Sequence, residues 1–503
     1  MAVADFVIVV LAAGKGTRLK SRVGKVLHRA GGRTLVEHVV RAAVATRPKD
    51  VLVIVGHQAE DVAAVITPLG ARTVVQEPQR GTGHAMQVAR DALRQPAPGK
   101  AIGKSAKYAL VVPGDAPLIR TKTLEALARA HAASGASVTI LSAMLPDPTG
   151  YGRILRRRDG SVAAIVEEKA ATPEQRQIRE VNSSTYAFTL EKLWPCLDEL
   201  RPENVHHELY LTDAIALLDQ RGEKVIAEVA FDPQEILGCN TRAELAEVDR
   251  VFRARKRAEL MYAGVTIQLP ETVLIDPEVT VGADTVIEPA VQLLGATRIG
   301  ANCTVRTGSV IADSVLADSV TVRQHCLVTN CRLGAGVVVG PFAHLRDGAE
   351  LRPGARVGNY VEVKKSVLHE GVKAMHLTYL GDAEVGRDTN VGAGTITCNY
   401  DGVRKNPTKI GARVFVGSGT ELVAPIQVGD GAYIAAGSTI TENIPAESLA
   451  IARERQVTKP GWAAVRRAEI EKTKTEKRKS KLGSKPSTKK LPKGRRVRRS
   501  KRR

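Results

Sequence analysis

The sequence predicts two architectures joined in one chain: an α/β domain on a mostly parallel sheet over residues 1–240, and a parallel β-helix of hexapeptide repeats over residues 265–460. The first prediction rests on alternation. Short β-branched runs ("DFVIVVLA", "DVLVIVG", "RTVVQ", "YALVVPGD") are separated by helical patterns ("TLVEHVVRAAVA", "AEDVAAVITPLG"), the pattern of βαβ units. The second rests on period. Aliphatic residues recur every sixth position at Val281, Ile287, Leu293, Ile299, Val305 and Ile311. They do so again at Leu333, Val339, Leu345, Leu351, Val357 and Val363, and at Ile410, Val416, Leu422, Val428, Ile434 and Ile440. One inward aliphatic side chain per six residues builds a triangular prism whose faces are short parallel strands. Composition agrees: 503 residues suffice for two or three domains, while 3% aromatic content and 44 glycines favour repetitive aliphatic packing over an aromatic-rich globule.

Parallel sheets bind ligands at the carboxyl ends of their strands, so the loops after Val10, Val55, Val75 and Val112 are candidate site loops. The segment "RQPAPGKAIGKSAK", 94–107, reads as a surface insertion. Residues 241–264 carry Leu245, Val248, Phe252 and Leu260 at helical spacing among many charges, which predicts a connecting helix. The six-residue period is interrupted between Val363 and Val385, and insertions into a solenoid commonly sit on its binding face. Residues 461–503 form a basic tail. Of the net charge of +21, 19 Lys/Arg against three Glu between Arg466 and Arg503 supply +16, leaving +5 for the rest. So few apolar residues cannot bury enough surface to fold alone, and the tail is expected to be disordered. Contact with nucleic acid is expected only as nonspecific attraction between this tail and phosphates.

The six cysteines show no CxxC pairing and read as reduced thiols. No charged n-region precedes the first apolar run, and no apolar stretch approaches the ~20 residues that span a bilayer. A soluble, cytoplasmic protein without membrane insertion is expected.

Three stretches carry chemistry. "LAAGKGTRL", 11–19, fails both the P-loop and the dinucleotide glycine patterns. Its Gly14 and Gly16 nevertheless let backbone N–H groups approach phosphates, and Lys15 and Arg18 add charge; an ordinary strand-to-helix turn is the other reading. Asp115 in "GDAPL" is either a residue of the candidate site loop after Val112 or a helix cap after a strand. His376 in "AMHLTYLGD" is either structural or a general base, since an imidazole suits the deprotonation of an attacking amine.

The neighbouring residues decide among these. The first stretch resembles the L-x-A-G-x-G-T-R-[ML] signature of sugar-nucleotide pyrophosphorylases. The resemblance continues through "GKVLH", "QEPQRGTGHAMQ", "PGDAPLI", "DPTGYGRI", "IVEEK", "EVNSSTYAF" and "GCNTR". With the hexapeptide half attached, residues 1 to about 460 resemble the bifunctional bacterial family of N-acetylglucosamine-1-phosphate uridylyltransferase/glucosamine-1-phosphate N-acetyltransferases.

That resemblance implies a Rossmann-like nucleotidyltransferase domain followed by a left-handed parallel β-helix. It implies UTP, glucosamine 1-phosphate, N-acetylglucosamine 1-phosphate and acetyl-CoA as substrates, and a homotrimer whose acetyl sites draw on neighbouring chains. The backbone of Leu11, Ala12, Ala13 and Gly14, with Gly114, would hold uracil and sugar, and Gln76, Gly81 and Thr82 would read the base. Gly152, Glu167 and Asn182 would line the acetylated sugar, with Lys25 and Arg18 facing the phosphates. Asp115 and Asn240 would hold Mg²⁺, for which two hard oxygens suffice because water and substrate phosphates complete its shell. In the second half His376 would be the base, and Arg346, Lys364, Tyr379 and Asn390 would bind the sugar phosphate. Ala393, Asn399, Tyr400, Ser418, Ala436 and Arg453 would line the acetyl-CoA groove, with Lys405 near the cofactor.

Departures from the family pattern are Gly24 for a proline, Pro113 for an aromatic residue, and His344 and Asp347 in "GPFAHLRDG". Gly24 should loosen the segment that carries Lys25, and Asp347 should weaken phosphate binding at Arg346. Two other readings stand beside this one. A monofunctional pyrophosphorylase with the prism as oligomerisation scaffold is disfavoured by His376, Asn399 and Tyr400. A regulatory or nucleic-acid-binding scaffold is disfavoured by the presence of Lys25, Asp115 and Asn240.

Overall fold

Phe6–Leu11 is apolar on both faces, and such a strand must be covered on both sides. It lies within a sheet ordered Val225–Val229, Val138–Met144, Glu180–Thr189, Tyr108–Pro113, Phe6–Leu11, Asp50–Val55, Arg72–Val75. Every neighbouring pair in this order is parallel except the two made by Glu180–Thr189, which is antiparallel to both neighbours. The structure, a computed structural model, describes residues 5–14, 16–94, 106–202 and 207–483. Most of the 94–107 segment, Lys15, and residues 484–503 of the basic tail therefore lie outside the described residues.

Strand alternation sorts the sheet's side chains into two cores. Phe6, Ile8 and Val10 pack with Val36, Val39 and Val40 of helix Leu35–Ala45 and Leu124 and Leu127 of helix Thr121–Ser134. Val7 and Val9 pack on the other side with Met86 of helix Thr82–Leu93, Leu193 of helix Leu190–Asp198 and Ile215 of helix Leu211–Gln220. The carboxyl ends of the strands are thereby left to the loops.

Helix Arg242–Tyr262 begins at a capping box, Thr241 with Glu244. It serves two cores. Val248 and Val251 pack with Ala30, Leu35, Leu118 and Cys239 of the α/β half, while Leu260 enters the core of the prism. Polar contacts follow the same line: the Gly31 N–H donates to Asp249 Oδ1 at 2.7 Å, and Arg257 donates to the Val273 carbonyl at 3.1 Å.

From Thr266 the chain winds through three parallel sheets of 11, 10 and 9 strands, each coil giving one strand to each sheet. The core of this prism is aliphatic, with Ala and Cys and no aromatic residue. At its corners buried hydroxyls satisfy backbone carbonyls, as Thr285 does for Gly300 at 2.9 Å and Ser309 for Arg323 at 2.7 Å.

The expected interruption between Val363 and Val385 is absent. Leu368, Ala374 and Leu380 are buried in the prism core, and Val363 pairs with Leu380 and Leu368 with Val385 in unbroken register. The step from Val363 to Leu368 is five residues, a shorter corner that a strict six-residue count overlooks, and Ile311 to Leu316 repeats it. The insertion lies later. Residues 399–407 separate strand Ile396–Cys398 from Thr408–Ile410.

The described residues from Ile451 onward belong to a second unit. Within it the expectation of a disordered tail fails over Trp462–Gly483, which is helical. Apolar content argues against a packed core there, but "WAAVRRAEIEKTKTEKRKSK" is rich in strong helix formers, and Arg466 pairs with Glu469 one turn on. Among the described residues no helix is long and apolar enough to cross a membrane.

Candidate active sites

The glycine loop after Phe6–Leu11 is tied to both flanking strands: the Ala12 N–H donates to Ile54 O and the Gly114 N–H to Leu11 O, each at 2.8 Å. Gly16 has φ 63°, and a Cβ there would strike the Lys25 side chain, so only glycine fits. A Cβ on Gly14 would meet nothing within 4 Å, and its backbone stays open to a ligand.

Beside this loop four of the expected residues meet. Lys25 Nζ donates to Asn240 Oδ1 at 2.6 Å, Arg18 Nη2 reaches the same oxygen at 2.8 Å, and Lys25 is ion-paired with Asp115. The Cys239 N–H donates to the Asp115 carbonyl at 3.0 Å, which fastens the two distant segments together. Burial pushes the Cys239 thiol up to about 11, so it stays protonated beside the cluster. Among the described residues no group of three His, Cys, Asp or Glu could hold a metal. Asp115 and Asn240 do aim two hard oxygens at one cationic atom, the ammonium of Lys25. That donor set fits a hard divalent ion that keeps water and phosphate ligands.

Two further groups of expected residues form in the same half. Gln76 is buried and its amide donates to Gly81 O at 2.9 Å and meets His84 Nδ1 at 3.1 Å. Thr82 Oγ1 accepts from the Leu211 N–H at 3.0 Å, leaving its hydrogen to donate elsewhere. A Cβ on Gly152 would approach Glu167 Oε1 to 3.5 Å, and the Asn182 N–H donates to Gly152 O at 2.8 Å, so Gly152, Glu167 and Asn182 share one wall. Burial, reinforced by Asp213, raises the Glu167 carboxyl pKa. Asn182 Nδ2 donates to Tyr186 Oη at 2.9 Å, and burial pushes that phenol up to about 12.

On the prism the register builds the site. Arg346, Lys364 and Gly381 are neighbours on three successive coils. Because the third has no side chain, the Tyr379 ring folds over it: a Cβ on Gly381 would collide with Tyr379 Oη and Asn399 Nδ2. Asn399 donates to Asp382 Oδ2 at 2.6 Å. The ammonium of Lys405 beside Lys364 lowers the Lys364 pKa. Arg346 is held by Glu362 at 2.7 Å and by Asp347 at 2.8 Å, so the departing carboxylate at 347 engages the arginine directly.

His376 is exposed, and its Nδ1 lies 3.0 Å from Asn359 Oδ1. An amide oxygen can only accept, so this contact puts the imidazole proton on Nδ1 and leaves the Nε2 lone pair free. Along the same prism edge the backbone links Asn359 to Leu377, Leu377 to Gly394, Ala393 to Gly419 and Ser418 to Gly437. Ala393, Ser418 and Ala436 therefore continue the edge that His376 begins. Asn399, Tyr400 and Lys405 stand on the 399–407 insertion. Asn390 lies on a separate strand, between Lys373 and Phe415. Arg453 lies in the second unit.

Residues missing from the sequence reading are the ones that hold others: Asn359, Glu362, Gly381 and Asp382. Asn359 precedes His376 by 17 residues, one coil, and coil arithmetic alone could have found it.

Parts of the chain match three known families: the MobA-like NTP transferase domain over residues 8–173, the GMPPB C-terminal domain over 269–351, and the bacterial transferase hexapeptide (six repeats) over 407–442. Over its length the chain is 50% identical to the bifunctional protein GlmU of Koribacter versatilis, an alignment covering 93% of this chain and 99% of that protein. It is 48% identical to the GlmU of Solibacter usitatus, covering 92% and 97%, and 46% identical to that of Trichlorobacter lovleyi, covering 91% and 98%.

Proposed function

The chain belongs to the family of bifunctional GlmU proteins, and from that premise we propose that it makes UDP-N-acetylglucosamine in two steps. The left-handed prism transfers the acetyl group of acetyl-CoA to glucosamine 1-phosphate. The α/β half then transfers UMP from UTP to N-acetylglucosamine 1-phosphate and releases pyrophosphate. One observation carries the reading: Lys25 and Asn240, 215 residues apart, meet beside Asp115 next to an open glycine loop.

In uridylyl transfer a phosphate oxygen of the sugar phosphate attacks the α-phosphorus of UTP in line, and the bond to the β-phosphate oxygen breaks. No protein nucleophile is needed. Lys25 and Arg18 neutralise charge on the phosphates, while the Gly14 backbone and Gln76 orient the nucleotide. Gly152, Glu167 and Asn182 position the sugar. Asp115 and Asn240 would hold Mg²⁺, which when bound supplies charge neutralisation at the phosphates.

In acetyl transfer Nε2 of His376 takes a proton from the sugar amine as it attacks the thioester carbonyl, and the imidazolium keeps its Nδ1–H on Asn359. The carbon–sulfur bond then breaks, the Nε2 proton of the imidazolium passes to sulfur, and coenzyme A leaves as its thiol. Arg346, Lys364, Tyr379 and Asn390 bind the sugar phosphate, and the small side chains of Ala393, Ser418 and Ala436 leave a lane for acetyl-CoA, with Asn399 and Tyr400 at its borders. A homotrimer completes this lane. Exposed Phe342 and Tyr360, stacked at 5.4 Å near His376, support an interface along that edge. The protein works in the cytoplasm, where its free thiols stay reduced.

Pyrophosphate release with UTP and a panel of sugar 1-phosphates, with and without acetyl-CoA, tests both halves. N-acetylglucosamine 1-phosphate is expected to react without acetyl-CoA, and glucosamine 1-phosphate only with it. Release from glucosamine 1-phosphate alone at a comparable rate would overturn the order of steps.

A further inference from the structure

Lys25 is carried by a residue that should let it wander. Gly24 is buried, and its backbone sits at φ −56°, ψ 144°, an extended conformation within the range that proline enforces. Glycine enforces nothing. The constraint comes from elsewhere: the Gly24 N–H donates to the side-chain carbonyl oxygen of Gln58.

Gln58 is unusual in its own setting. It precedes helix Ala59–Ile66 in a left-handed conformation, φ 55° and ψ 44°, and its side chain makes no capping bond to that helix. A side-chain-bearing residue pays for such a backbone, and a residue before a helix commonly caps it. The Gln58 side chain does not. Its amide nitrogen donates to Asp61 Oδ2 at 3.1 Å, which turns the carbonyl toward Gly24. The result is a line of contacts from Asp61 through Gln58 and Gly24 to Lys25, whose Nζ lies 2.6 Å from Asn240.

We propose that Gln58 is a positioning residue for uridylyl transfer: its side-chain carbonyl pins the buried Gly24 N–H and so aims Lys25 at the phosphates. This rests on the assignment of Lys25 to that site. The geometry also sets a side chain at position 24 against this contact, because the Gln58 carbonyl would have to swing aside to admit it. A Cβ on Gly24 would stand 2.8 Å from Gln58 Oε1, and a proline ring would replace the hydrogen that Gln58 accepts.

The test is a cycle in the full-length protein: native, Gln58→Ala, Gly24→Pro, and the double variant. Each is assayed for uridylyl transfer with UTP and N-acetylglucosamine 1-phosphate, and for acetyl transfer. Gln58→Ala is expected to lower uridylyl kcat about tenfold with the KM for UTP changed less than about threefold, because misaimed charge costs rate more than binding. Acetyl transfer stays native. Gly24→Pro alone displaces the Gln58 carbonyl and stays within about threefold of native, and the double variant does the same, because proline now supplies the φ that Gln58 held. A native kcat for Gln58→Ala, or a double variant as slow as Gln58→Ala, overturns the proposal. Should Gln58→Ala fail to fold, Gln58→Met keeps the length of the side chain without the acceptor and is expected to show the same loss; a native kcat in it would equally overturn the proposal. A native kcat in Lys25→Ala would instead overturn the reading of the site itself.

Discussion

The two halves of this molecule build sites by opposite means. In the α/β half Arg18, Lys25, Asp115 and Asn240 converge from separate loops, and their meeting depends on the whole sheet and on the helix that follows Asn240. In the prism Arg346, Lys364 and Gly381, or Asn359 and His376, meet because they occupy the same rung of consecutive coils. The first site is a product of global packing, the second of local register. The interiors differ in the same way. The α/β half buries His38 against Ala30 O and the ring of Phe252, and His131 between Thr139 and Thr189. Among the described residues the prism buries no histidine; its buried polar side chains are mainly Ser and Thr.

Separate sites should fail separately, and the most severe test is at the base of the first reaction and the phosphate-facing lysine of the second. His376→Ala is expected to lower acetyl transfer by about 10²–10⁴-fold while uridylyl transfer keeps its native rate. Lys25→Ala should do the reverse, lowering uridylyl transfer on the order of 10²–10³-fold with acetyl transfer intact. Steady-state rates of both reactions on each variant decide this, and a crossed loss would show that the halves are coupled. Packing should separate as well. Ile311→Ala removes a fully buried side chain from the prism, at a cost of about 2–5 kcal/mol, and is expected to lower the unfolding transition of the prism in calorimetry while leaving uridylyl transfer native.

Acid supplies a gentler discrimination. Burial lowers the pKa of both His38 and His131 from 6.5 to about 4. Because the folded values lie below the unfolded one, the unfolded chain takes up protons first; this stability is complete above about pH 6.5 and is lost as the pH falls toward 4. The loss is on the order of 1–3 kcal/mol per histidine, and thermal unfolding at pH 7 and pH 5 should show the α/β half shifting more than the prism. The smallest effect is expected at the tail: removing residues 466–503 should leave both rates within about twofold of native, since the described part of that segment is exposed throughout. Collapse of either rate would make the tail part of a site.

Much of the fold was readable because each half repeats one physical pattern. Phe6–Leu11 announces a strand covered on both faces, and the recurring aliphatic residues from Val281 to Ile440 announce the prism. What escaped were features that a fixed period or composition cannot express. A five-residue corner between Val363 and Leu368 looked like a gap, although the coil is intact, and the true insertion at 399–407 went unnoticed. Helix Trp462–Gly483 was hidden because low apolar content excludes a core but not a helix. At the sites, residues with reactive or charged groups stood out, whereas their holders did not: Asn359, Asp382 and Gln58 are ordinary amides and acids until their partners are known.

The one-coil spacing of Asn359 and His376 makes the length of the prism negotiable. Coils could be added or removed between Ile275 and Val339 without retuning either catalytic group, each addition carrying the acetyl-transfer set farther from the nucleotide site by about 4.8 Å, one strand spacing. The fold thus works as an adjustable spacer, in which the separation of two reactions is inherited as a number of turns.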